Sequence, residues 1–143
     1  MVLEHTLSII KPNAINKHVI GDIIKRFEDN KLFVVGLKML KLNFHQVLFI
    51  YNEHKNKLFF NDLLKFMTSN PVVLLVLEGD NAINRNRLII GHTNPIHAIP
   101  GTIRKDYADN ITENAIHGSA SKEAAKKEIY YLFKKDEIYK KIY

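Results

Sequence analysis

Residues 72–77 read VVLLVL, an apolar run with no polar break, bounded by Asn70-Pro71 before it and Glu78-Gly79-Asp80 after it. The run has the length of a strand, and half its positions are β-branched valines. Without a polar face it suits a central strand buried on both sides, and it constrains the rest of the chain to cover it. The acidic turn Glu78-Gly79-Asp80 is expected to lead out of it.

The flanking patterns supply the cover. Residues 6–11 (TLSIIK) form a strand stopped by Pro12, and 32–42 a long strand whose alternation puts Leu37 and Met39 on one side and Lys38, Leu40 and Leu42 on the other. Val19, Ile20, Ile23, Ile24 and Phe27 recur with the 3.6 period of a helix over 16–28. Helices are also predicted over 44–55, 59–68, 82–90 and 121–133, and 115–118 makes a short last strand. Ala125, Ile129, Leu132 and Phe133 mark the inward face of the last helix, and Glu123 supports it from outside, four residues before Lys127. Residues 91–114, with Pro95, Pro100 and Gly101, form a loop long enough to suggest function. This order predicts an α+β sandwich of ferredoxin-like βαββαβ topology, an antiparallel four-stranded sheet covered by helices on one face.

With 143 residues, 46% of them apolar and 25% charged, the chain is expected to form a single domain over 1–143. The absence of cysteine excludes disulfides, thiol catalysis, iron–sulfur clusters and thiolate zinc. No run is long enough to span a membrane, and Glu4 and His5 interrupt the start where a signal peptide is apolar, so a cytoplasmic location is expected. The net charge of +6 and pI of 9.4 invite a nucleic-acid reading. Yet 17 Lys stand against 4 Arg, beside 18 Ile and 14 Asn, a bias that AT-rich coding produces by itself. The four arginines are the informative cations, because a forked planar donor is what lysine cannot replace.

Neither GxxxxGK[ST] nor GxGxxG occurs, so any phosphate must be handled by side chains. The strongest local signal is 114–121, NAIHGSAS, followed by a helix carrying Glu128. His117 ends a strand and precedes Gly118. Ser119 and Ser121 offer hydroxyls and a helix cap, and the N–H groups of the helix start favour an anion. Two turns on, Glu128 is placed to accept from one imidazole nitrogen and leave the other as nucleophile.

The segment NAIHGSASKEAAKKEI resembles the active-site signature of nucleoside diphosphate kinases, N-x-x-H-G-S-D-S with its A-x-x-E-I helix. TLSIIKPNAI, GDIIKRFE, VVGLKML, FFNDLLKFMTSNPVV, LEGDNAI, GHTNP and GTIRKDYAD resemble the family's other blocks in order, from Thr6 to Phe133. The length is similar to that of the short bacterial members. The resemblance implies a ping-pong transfer of the γ-phosphate of a nucleoside triphosphate, typically ATP, through a phosphohistidine at His117. It implies catalytic roles for Glu128, Ser119, Lys11 and Tyr51, with Lys11 neutralising phosphate charge. Phosphate contacts are implied for Arg87, Arg104 and Thr93, a sugar contact for Asn114, base stacking for Phe59, and an apolar pocket wall for Leu63 and Ile111. Magnesium is expected to arrive on the nucleotide phosphates, with no protein metal site, and the partners implied are nucleoside di- and triphosphates and further copies of the chain, as a tetramer or hexamer.

The sequence departs from the pattern at Ala120, where the family has Asp, and at Lys105 and Leu58, which stand to alter the lip of the nucleotide site. The other six histidines lack a metal spacing. Lys134, Lys135, Lys140 and Lys141 read as a solvated tail, with Tyr139 and Tyr143 able to touch a neighbouring subunit. Two alternatives remain at this level: a basic nucleic-acid-binding ferredoxin-like module, and a nucleotide-binding regulator that has lost phosphotransfer. Against the first, no strand carries an RNP1 pattern.

Overall fold

The structure is a computed structural model that describes residues 3–139. The apolar run lies within β3 (Val72–Asp80), which pairs antiparallel with β1 (Leu3–Ile10) on one side and β2 (Phe33–Leu40) on the other. β4 (Ile116–Gly118) adds to the far side of β1, giving the order β2-β3-β1-β4 with every pair antiparallel. This is the ferredoxin-like arrangement predicted. Between the strands run α1 (Pro12–Asn16), α2 (Ile20–Asp29), α3 (Phe44–Ile50), α4 (Phe60–Ser69), α5 (Ala82–Ile90) and α6 (Ile103–Tyr107), and α7 (Lys122–Leu132) follows β4.

Helices cover both faces of the sheet rather than one. Leu74 and Val76 of β3 pack with Leu7 and Ile9 of β1 against Val47 of α3, Leu63 and Met67 of α4 and Leu132 of α7. Val73, Leu75 and Leu77 point the other way, onto Ala14 of α1, Ile23 and Phe27 of α2, Ile90 of α5 and Ile103 of α6. The cause is the strand itself: alternate residues face opposite sides, and this strand has no polar side to leave wet.

Local departures have local causes. β3 continues through Glu78 and Gly79 to Asp80, because β1 pairs it as far as Leu3, and the buried Glu78 meets His5 Nε2 at 2.8 Å. The helix predicted over 16–28 begins only at Ile20: Asn16 ends α1, a separate short helix that starts at Pro12, and His18 takes a positive φ of 60° between the two. The helix predicted over 44–55 stops at Ile50 and passes into a 3₁₀ turn, Asn52–His54. An Asn43–Gln46 capping box fixes its start. The long segment after α5 holds another 3₁₀ turn, Pro95–His97, and α6. A bulge between Val34 and Gly36 leaves Leu37 and Met39 exposed on β2. Lys140, Lys141 and Tyr143 lie outside the described residues.

Candidate active site

His117 sits in β4 opposite Ile9 of β1. The chain enters β4 through Ala115, whose φ is +76°, with the Ile116 N–H donating to the Asn114 carbonyl across it at 3.0 Å. A three-residue turn of this sign is sparsely populated for residues with a Cβ, and such strain gathers at functional sites. The Lys11 N–H holds the turn from β1, donating to the Ala115 carbonyl at 2.8 Å. Gly118 ends the strand for a packing reason: a Cβ there would lie 2.8 Å from Asn86 Nδ2 and 2.7 Å from Ile90 Cδ1, both on α5.

Behind the imidazole, the buried Glu128 of α7 takes a 2.6 Å hydrogen bond from Ser119 Oγ, and the same oxygen lies 3.3 Å from His117 Nε2. Nε2 is thereby assigned to the carboxylate, and Nδ1 has no protein partner among the described residues. Ser121 caps α7, its Oγ accepting from the Ala124 N–H at 3.1 Å.

Around this histidine stand cations that the fold has desolvated. Lys11 follows β1, is 4% exposed, and donates to Asn114 Oδ1 at 2.8 Å and to the Thr112 carbonyl at 3.4 Å. Burial, reinforced by the Arg104 charge, draws its pKa down to about 7. Arg104 of α6 donates to the Gly91 and Ile116 carbonyls at 3.1 and 2.7 Å, and its Nε is buried without a partner. Burial draws its pKa down to about 10, which leaves it charged at neutral pH. Arg87 of α5 is exposed and donates to the Ala120 carbonyl at 3.1 Å. Tyr51 presents its ring edge to His117, 5.4 Å between centroids, and its buried hydroxyl has no partner; burial pushes that hydroxyl well above the usual tyrosine range. Unmet hydrogen-bonding capacity on buried groups is rare in native folds, and three such groups, with His54 Nδ1 the third, border one cavity.

That cavity is an open cleft of about 1610 Å³. Lys11, Tyr51, Phe59, Leu63, Arg87, Thr93, Arg104, Ile111, Asn114, His117 and Glu128, singled out from sequence along the whole chain, all line it. Ser119 lies buried behind Glu128. Phe59, 42% exposed, stands just before α4. Asn114 spends its amide on the interior, holding Lys11 through Oδ1 and donating from Nδ2 to the Thr93 carbonyl at 3.0 Å. Lys105 and Leu58, expected at the lip, are exposed and do not line the cleft. Sequence reading missed Asn86, which is fully buried, accepts from Ser8 Oγ at 2.8 Å and backs Gly118. Its only local signal was a polar residue on the buried side of a helix. It also missed the Thr112 carbonyl, which no side-chain pattern reveals.

The comparisons agree with this geometry. The family model described as Nucleoside diphosphate kinase matches residues 4–138. A nucleoside diphosphate kinase of Wigglesworthia glossinidia brevipalpis is 51% identical over 142 residues, covering 99% of this chain and all of the relative. One from Nitrosococcus oceani is 53% identical over 138 residues, 96% of each chain. The crystal structure of the Aquifex aeolicus nucleoside diphosphate kinase superposes with a TM-score of 0.92 at 39% identity, over 96% of this chain and 99% of that one. A match that runs from β1 past α7, in sequence and in fold alike, places this chain in the nucleoside diphosphate kinase family.

Proposed function

We propose that this chain transfers the γ-phosphate of a nucleoside triphosphate to a nucleoside diphosphate, with His117 Nδ1 as the carrier. The observation that supports this best is the division of the imidazole: Nε2 faces a carboxylate fixed by Ser119, while Nδ1 is left free beside three cations. In the first half-reaction Nδ1 attacks the γ-phosphorus. An N–P bond forms, the bond from that phosphorus to the bridging oxygen breaks, and the nucleoside diphosphate leaves with the electron pair. The ring becomes cationic as Nδ1 bonds, and Glu128, accepting from Nε2–H, stabilises that charge. The second half-reaction is the reverse with another diphosphate.

Lys11, Arg87 and Arg104 supply positive charge where the phosphoryl oxygens carry developing negative charge, and their placement before reaction is what makes them effective. The α7 N-terminus adds partial positive charge. Magnesium fits this site only as a passenger. Magnesium commonly keeps several waters and uses substrate phosphate oxygens, and these would hold the ion here. When bound it neutralises phosphate charge. Phe59 offers a base its π-face, which every base shares, so base preference should be weak. Asn114 acts first as the clamp on Lys11, and a sugar contact would use its remaining N–H.

A homo-oligomer, tetramer or hexamer, is part of this proposal; the exposed Leu37 and Met39 on the β2 edge favour self-association, and light scattering gives the count. A cytoplasmic location is proposed with it; among the described residues no helix is long and apolar enough to cross a membrane. The nucleic-acid module gains no support, since the family match accounts for the sheet and the cleft together. The test is to mix the protein with γ-labelled ATP and Mg²⁺, quench without acid and follow the label beside His117→Ala. Acid-labile label on the wild type alone, discharged by GDP, is the expected result. ATP binding without any label on the protein returns the chain to the regulator reading.

A further inference from the structure

The lining of the cleft also takes in parts of α3 and α7 that phosphoryl transfer does not employ. His45 and Phe49 line it from α3, and Ala124, Lys127 and Tyr131 from α7. Phe49 and Tyr131 stack on one another, 4.0 Å between centroids with planes 17° apart, yet they remain 41% and 43% exposed. Two large rings that meet face to face and still show nearly half their surface form a platform rather than a core contact. Its position is set by the catalytic residues themselves: Tyr131 lies about one helical turn beyond Glu128, and Phe49 two residues before Tyr51.

The cleft is therefore lined by two aromatic surfaces, Phe59 and the Phe49–Tyr131 stack, and by the cations Lys11, Arg87, Arg104 and Lys127. Its two lining carboxylates are both engaged, Glu53 by His54 at 3.5 Å and Glu128 by Ser119 and His117. A mononucleotide has one base and leaves the second platform unexplained. Building on the nucleotide reading of the cleft, we infer that the exposed surface of the Phe49–Tyr131 stack takes the second base of a dinucleoside polyphosphate. The first base lies on Phe59, and the phosphate chain crosses the cations. Such a ligand has no terminal phosphoryl group to give to His117. It occupies the cleft as a competitive inhibitor of transfer.

Calorimetry with diadenosine pentaphosphate and Mg²⁺, beside ADP, tests this on the wild type and on Phe49→Ala, Tyr131→Ala and Lys127→Glu. The wild type should bind the two-base ligand about tenfold or more tightly than ADP, and each ring variant should lose roughly that factor, the usual worth of one stacked base. Lys127→Glu, at an exposed helix position, should weaken the same ligand selectively. ADP affinity and the ATP-to-GDP transfer rate should stay within roughly twofold in all three, which also shows that the variants fold. Two-base affinity that matches ADP, or that survives all three substitutions, overturns the inference while leaving the kinase reading intact. A wild type that binds neither ligand overturns both.

Discussion

β3 and β4 belong to one sheet and are built on opposite terms. β3 has nine residues, buried from Val72 to Gly79, and from Val72 to Leu77 local preference agrees with place: β-branching, unbroken apolarity, a neighbour on each side. β4 has three residues, entered through a positive φ at Ala115 and ended by a glycine pressed against Asn86. Beside it lie a buried lysine, a half-buried arginine whose buried Nε has no partner and a tyrosine hydroxyl with no partner. The first strand is where consistency gives stability. The second is where the fold holds groups in states they would not choose alone, and chemistry needs them there.

The sharpest way to break this division is to damage each strand's neighbourhood and see which property fails. Leu75→Ala, in the fully buried centre of β3, should cost about 2–5 kcal/mol in urea or thermal unfolding. Transfer per folded molecule should hardly change; a core change that instead removed activity at constant stability would erase the distinction. Lys11→Met is the converse. It should depress transfer by roughly two to three orders of magnitude, in line with loss of a preorganised charge at the reacting centre, and it should raise stability.

The pH dependence gives that gain a sign. Lys11 has a folded pKa of about 7 against 10.5 when unfolded, so the unfolded chain holds the proton more tightly and folding opposes its uptake. Below pH 7 both states carry it and the penalty is complete; it recedes as pH rises from 7 to 10.5, and above that it is gone. The stability advantage of Lys11→Met over wild type should therefore be largest at pH 7 and below and shrink toward pH 10.5, as unfolding curves across that range will show. A constant offset would mean that burial does not oppose the charge.

Smaller effects refine the picture at α7. Ser121→Ala removes the cap on the Ala124 N–H and should cost about 1 kcal/mol, with the transfer rate reporting whether the helix start also serves the phosphates. Ala120→Asp restores a carboxylate one residue before that cap, beside the Arg87 guanidinium that now meets the Ala120 carbonyl. It should add about 0.3–1 kcal/mol and alter the rate modestly. A gain of several orders in rate would show that the natural chain is a degraded catalyst.

The difference between the two strands also explains what the sequence could disclose. The central strand, the α5 bounds and the α7 face were legible because apolar periodicity reports burial, and burial is what shapes them. Sequence reading led astray at residue 16, where the expected helix starts too early because His18 separates α2 from the short α1, and at Glu78, where pairing with β1 carries the strand past an acidic turn signal. In the cleft, His117 and Glu128 were readable as a pair from helix spacing. Lys11, Tyr51, Phe59 and Arg104 were readable only through resemblance, because what unites them is tertiary. Asn86, the Thr112 carbonyl and the Phe49–Tyr131 stack left no mark in the linear order, since each depends on two elements meeting.

The central claim is that Glu128 occupies Nε2 so that Nδ1 can carry phosphate. Phosphorus and ¹⁵N NMR of the isolated phosphoprotein, prepared with ATP and Mg²⁺ and kept from acid, tests it directly. The account predicts a single phosphohistidine at His117 with phosphorus coupled to Nδ1. Phosphorus on Nε2, or on any other residue, would contradict it.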